Sequence, residues 1–158
     1  MLKAEELSIG DWVNVPNYYW DGRPYTGQVN GITKKHGTYY LQFGSALSAE
    51  IDRCQPIPIT KEILEKNGFE EEVREGDPTF PYSAFILDGD DYHIEITWYD
   101  SHDRYEPNTG QFLGGVPEVW AIEVNSKRSN VDIERSKMYV HELQHALRLC
   151  GITKEIEL

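Results

Sequence analysis

Apolar and polar residues alternate along most of this chain, and the spacing lengthens to a helical period in only two places. Leu7-Ser-Ile-Gly-Asp-Trp-Val-Asn-Val15 sets a Gly-Asp turn directly before an alternating strand. Gly27-Gln-Val-Asn-Gly-Ile32 predicts a second short strand, Lys34-Lys-His-Gly37 a turn, and Thr38-Tyr-Tyr-Leu-Gln-Phe43 a third strand. Weaker alternation passes through Ala49-Glu-Ile51 into Gln55-Pro-Ile-Pro-Ile59. Two prolines there exclude a central strand and predict an edge or exit segment. Short strands between Gly-containing turns make residues 1–59 an SH3-like small β-barrel.

Thr60-Lys-Glu-Ile-Leu-Glu-Lys-Asn-Gly68 has the marks of a short helix. Thr60 offers an N-cap oxygen, Glu62 suits the positive end, and Asn67-Gly68 fits a left-handed stop. Ile63, Leu64 and Phe69 are its expected buried contacts. The acidic, Pro-broken stretch from Glu70 to Pro81 reads as a linker, so residues 60–81 join two parts. Beyond it, Tyr82–Leu87, the turn Asp88-Gly-Asp-Asp91 and the alternating Tyr92–Tyr99 follow in turn. Tyr92, Ile94, Ile96 and Trp98 share one face of that last strand. After a long polar loop, Glu118–Val124 pairs with it as an antiparallel meander. A polar stretch, Asn125 to Asn130, separates the meander from the final helix. Residues 82–158 are thus a meander plus a C-terminal helix, and the fold class expected is α+β.

Size and charge narrow the partners. With 158 residues, the chain can build one domain or two small ones. Its net charge of −12 repels nucleic-acid phosphates and anionic lipid, and its 15 Lys and Arg residues form no basic stripe. Neither nucleic acid nor a membrane is therefore an expected partner. The chain opens without an apolar signal region and carries two cysteines, so a reduced, cytoplasmic protein is expected.

The C-terminal helix contains the sharpest chemical signal, His141-Glu142-Leu143-Gln144-His145, a literal H-E-x-x-H. In zinc peptidases such a helix gives two imidazoles to the metal and a general base from the glutamate. A third protein ligand is needed, and Arg148 and Gly151 occupy the positions of the extended motif. Upstream candidates include His93, Asp100, His102 and Asp103. Helical phase also argues against a site. Tyr139, Val140, Leu143, Ala146, Leu147 and Cys150 form one apolar stripe, which puts His141, His145 and Arg148 on an opposite, solvated face.

Other positions invite a functional reading beside a structural one. Tyr18, Tyr19, Trp20 and Tyr25 sit where SH3-type domains hold an aromatic peptide-binding loop, or else cover a small core. Asp88-Gly-Asp-Asp91 resembles the start of a calcium loop, but Tyr99 stands at the twelfth position. Tyr99-Asp-Ser-His-Asp103 clusters possible ligands at a strand end. Cys54 and Cys150 read as buried thiols.

Two segments carry a resemblance. Gln55–Phe69 is similar to a Pro-Ile-Pro-Leu-Thr-Glu-Glu-Trp-Leu-x-Lys-x-Gly-Phe segment, and Lys137–Gly151 to a C-terminal Tyr-Val-His-x-Leu-Gln-Asn helix. Both belong to a group of short uncharacterised proteins of Bacteroides-like bacteria and their phages. That group carries Gln in place of Glu142 and Asn in place of His145. The resemblance therefore implies a structural helix on which the zinc-like pattern is accidental, and it implies no catalytic residue.

The leading expectation is a non-catalytic interaction or accessory protein of a bacterium or phage, with the Tyr/Trp loop as its contact and no cofactor. A zinc-dependent hydrolase using His141, Glu142 and His145 is the alternative. An acidic mimic of nucleic acid is a third.

Overall fold

The computed structural model describes residues 2–18, 22–74, 82–99, 102–105, 112–116 and 119–158. They fall into two units. The first is Met1–Pro58 with Tyr139–Gln144, and the second is Ile59–Met138 with His145–Leu158. The class is α+β, with antiparallel sheets throughout.

In the first unit, β1 (Trp12–Val15) pairs with β2 (Tyr25–Gln28), and β3 (Gly31–Lys35), β4 (Thr38–Phe43) and β5 (Leu47–Glu50) form a meander. The two-residue β6 (Gln55–Pro56) adds to the other side of β1. It is an edge, as the prolines require. The barrel expectation needs correction here, because these strands lie in two three-stranded sheets and do not close into one barrel. The stretch expected as one strand from Gly27 to Ile32 is broken at Val29 and Asn30. The Val29 amide bonds to the Asp11 carbonyl (2.8 Å), while the Asn30 amide bonds to the Gln42 carbonyl (2.9 Å). Consecutive residues thus serve different sheets. One core, including Val13, Val15, Val29, Leu41, Phe43 and Ile51, lies beneath both.

Turn chemistry explains the β3–β4 hairpin. His36 and Gly37 both have positive φ, 49° and 89°, the signature of a two-residue turn whose twist matches its strands.

The second unit begins with α1 (Lys61–Lys66), where Thr60 Oγ1 accepts the Ile63 amide (3.4 Å). Gly68, at φ 82°, ends it. Its amide bonds to Glu65, and that of Phe69 to the Leu64 carbonyl (both 3.0 Å), with Leu64 and Phe69 buried together. Strand β7 (Glu70–Arg74) follows directly, which corrects the expectation of a linker over those residues. Then come β8 (Tyr82–Gly89), β9 (Tyr92–Tyr99), the hairpin of β10 (His102–Tyr105) and β11 (Phe112–Val116), β12 (Val119–Ser126) and β13 (Asn130–Arg135). Five of these form one sheet in the order β13-β12-β9-β8-β7.

Pairing fixes which residues share a face. Phe85, Ile96 and Ile122 lie in one cross-strand row, and Leu87, Ile94 and Val124 in the next. Phe85, Ile94, Ile96, Ile122 and Val124 are all buried. Trp98 stacks on Trp120 at the end of this face (6.0 Å between centroids).

Helix α2 (Val140–Leu149) contributes its first half to the first unit and its second half to the other. In the second unit the Cys150 thiol donates to the Val124 carbonyl (3.6 Å), tying the helix end to the sheet's apolar face. Gly151 (φ 71°) repeats the stop seen after α1. Its amide reaches Arg148 (3.0 Å) and that of Ile152 reaches Leu147 (2.9 Å). No helix among the described residues is long and apolar enough to cross a membrane.

Candidate functional site

The H-E-x-x-H helix tests the zinc expectation residue by residue. The Tyr139 amide, immediately before α2, donates to Glu142 Oε2 (3.0 Å). A glutamate in the third helical position that reaches back to the preceding amide is one half of a capping box. Glu142 therefore has a structural task at the helix start. Its substitution by Ala should cost about 0.5–1.5 kcal/mol in urea denaturation, whereas Glu142→Gln, which keeps the acceptor oxygen, should be near neutral. An Ala variant as stable as the wild type would contradict this assignment.

His141 was expected on a solvated face, and that is corrected: it is only 5% exposed, and its ring stacks on Tyr139 (5.9 Å, 13° between planes). Gln144 is equally buried at 4%. Its Nε2 donates to the Gly10 carbonyl (3.1 Å) and its Oε1 accepts the Trp12 amide (3.3 Å). The first half of α2 is thus enclosed on more than its apolar stripe, because a polar side chain can enter an interior when it meets backbone groups that need partners. His145 is half-buried, whereas Arg148 and Leu149 are exposed.

Among the proposed third ligands, the described side chain is that of His93. His93 Nδ1 lies 2.6 Å from Asp88 Oδ1, and its Nε2 lies 3.8 Å from Glu95. Asp100 and the side chains of His102 and Asp103 lie outside the described residues. Among the described residues no three His, Cys, Asp or Glu side chains are arranged to hold a metal ion. A catalytic zinc needs three protein ligands and an open position, and the described residues supply no such set.

Tyr18 and Tyr25 have a packing role. Tyr18 contacts Tyr25 (5.2 Å), and Tyr25 meets Phe43 edge-on (5.4 Å). Both tyrosines are half-buried against the first unit's core. Tyr19 and Trp20 lie outside the described residues. The calcium-like turn is also engaged: Asp88 pairs with His93, and Asp91 with Lys127. Cys54 and Cys150 are buried free thiols, and burial pushes the Cys54 thiol up to about 11, far from reactive thiolate.

Sequence reasoning missed a different surface. On the sheet face opposite Ile94 and Ile96, register aligns Glu95 on β9 with Glu123 on β12 and Asp132 on β13. Glu72 and Glu134 lie on the same face one row away, and Glu70 closes the first row beyond Ile86. Among the described residues, His93 and Arg74 are the cationic residue types that register places on this face, and no lysine is placed there. Glu70, Glu72, Glu123, Asp132 and Glu134 are exposed. Asn125 Nδ2 donates to Glu123 Oε1 (2.6 Å), and Thr97 Oγ1 donates to Glu95 Oε1 (3.1 Å), which orients two of the carboxylates. Along any single strand these acids are merely the polar half of an alternation. Only pairing reveals a row.

No family model, curated protein or solved structure matches this chain.

Proposed function

We propose that this chain is a non-catalytic interaction or accessory protein of a bacterium or phage, and that it presents the acidic sheet face to a basic partner. One observation carries the reading, the in-register row of Glu95, Glu123 and Asp132 on three neighbouring strands. Like charges directly opposite each other destabilise a sheet, by about 0.2–1 kcal/mol per pair. Lysine or arginine side chains of a partner would offset that cost and gain from the charge already in place. Beside the β7 edge, an open cleft of about 620 Å³ lined by Glu70, Glu72 and Asp88 has the charge to take a basic side chain. The first unit is read as a small SH3-like β-domain opened into two sheets, with Tyr18 and Tyr25 turned to its core. The contact is therefore assigned to the sheet and not to the Tyr/Trp loop. The acidic-mimic reading is the special case in which the partner's basic surface also holds nucleic acid.

Capture from lysate with wild-type bait and with the Glu95→Gln/Glu123→Gln/Asp132→Asn variant tests this. Basic proteins should be retained by the wild type, released on raising salt from about 50 to 300 mM, and lost with the variant. Because Glu123 faces an acid on each side, Glu123→Gln alone should raise stability by about 0.5–1 kcal/mol. An unchanged set of captured proteins with the triple variant would sink the proposal.

A further inference from the structure

Acidic residues outnumber Lys and Arg by 27 to 15 in this chain, so cations gathered without carboxylate partners are informative. They gather within the second unit. The β8–β9 turn, the β12–β13 turn and the segment after α2 enclose a cleft of about 370 Å³, lined by Lys127, Arg128 and Lys154 among others. Lys127 is engaged with the carboxylate of Asp91. Among the described residues neither Arg128 nor Lys154 makes an ion pair, and Lys154 is half-buried.

The helix end does not account for these charges. Cations near a helix C-terminus often serve its free carbonyls. Here the Leu147 carbonyl accepts the Ile152 amide (2.9 Å), that of Arg148 the Gly151 amide (3.0 Å), and that of Cys150 the Ser126 hydroxyl (2.9 Å).

The walls of the cleft are set by glycine. The Tyr92 ring lies across Gly89, where a Cβ would fall 2.5 Å from a ring carbon. Arg128 Cδ and Nη1 lie 3.1 Å from where a Cβ on Gly151 would stand, so a side chain at 151 would press on the guanidinium stem. Ser126 Oγ accepts the amides of Arg128 and Ser129 (both 3.1 Å), which holds the turn that carries the cations.

We propose that this cleft binds a small phosphate ester, with Arg128 and Lys154 on the phosphate and the ester group along the Tyr92 ring. A guanidinium fork matches two phosphate oxygens, and an ammonium adds a point charge. The volume falls in the range of small-molecule sites, at roughly 300–1,000 Å³, and exceeds what a bare phosphate ion fills. The net charge of −12 disfavours indiscriminate anion binding.

The test is an amide-resolved NMR titration of the full chain at constant ionic strength, with phenyl phosphate and with inorganic phosphate as probes. Saturable shifts are expected at Lys127, Arg128, Gly151 and Thr153, with phenyl phosphate the tighter ligand by at least about 5-fold. The Arg128→Ala/Lys154→Ala variant should bind at least about 10-fold more weakly while its spectrum elsewhere stays unchanged. Non-saturating or scattered shifts, equal affinity for the two probes, or undiminished binding by the variant would each overturn the proposal. None of these residues belongs to the acidic sheet face, so failure here leaves the partner reading standing.

Discussion

Replacing Asn67 by alanine should destabilise the second unit by about 2–4 kcal/mol, the cost of three part-buried hydrogen bonds and of the backbone groups left without that partner. Asn67 is 6% exposed at the end of α1. Its Nδ2 donates to the carbonyls of Ile63 (2.8 Å) and Glu157 (2.7 Å), and its Oδ1 accepts the Glu157 amide (2.9 Å). One side chain therefore both closes a helix and clasps the segment after α2. That segment also buries Ile152 and Ile156, so loss of the clasp weakens apolar packing as well. Hydrogen exchange at the Glu157 amide should accelerate most, ahead of amides in β9 and β12. Asn67→Asp should be at least as damaging, since a carboxylate would face two carbonyl oxygens. A loss under about 0.5 kcal/mol on Asn67→Ala would show that the clasp is dispensable.

Gln144 should be the most sensitive polar position in the first unit. Its amide spans the backbone between Gly10 and Trp12 and satisfies one carbonyl and one amide there. Gln144→Ala leaves both without that partner, and the expected cost is about 2–3 kcal/mol. Gln144→Glu should cost more at neutral pH, because it keeps the acceptor for Trp12 but sets a carboxylate against the Gly10 carbonyl in a site that is 4% exposed. The sign of its pH dependence follows. Burial raises the folded-state pKa of that carboxyl above its unfolded value, so the deficit relative to wild type is greatest at high pH. It shrinks as pH falls through the folded pKa and the acid regains a proton to donate. Urea midpoints of both proteins across pH 4–7 check this, and a deficit that grew toward acid would refute it.

Where one residue type fixes local geometry, the sequence was readable. Thr60 caps α1, Gly68 and Gly151 stop the two helices, and the turn at His36-Gly37 joins β3 to β4. The alternation of Tyr92–Tyr99 gave the buried face of β9 and its pairing with β12. Strands β7 and β13 were hidden because each is an edge rich in charge. Glu70-Glu-Glu-Val-Arg74 has no apolar alternation, and charge on an edge protects it from stray pairing. The break at Val29-Asn30 was hidden for another reason, since it depends on long-range bonds to Asp11 and Gln42. Helical phase placed the apolar stripe of α2 correctly, but phase counts side chains and not neighbours. It could not foresee that Gln144 would be drawn inward by Gly10 and Trp12, or that His141 would be covered. The acidic row was the least legible feature, because Glu95, Glu123 and Asp132 are far apart in sequence and meet only through register.

The proposed contact stands or falls on that row. Carboxyl-group labelling of the chain, alone and with its captured partner bound, measures directly whether the sheet face is the contact. Glu123, Asp132 and Glu134 should label readily in the free chain and be protected in the complex, while Glu155 on the segment after α2 should label equally in both. Unchanged labelling of those three acids, with protection confined to other surfaces, would contradict it.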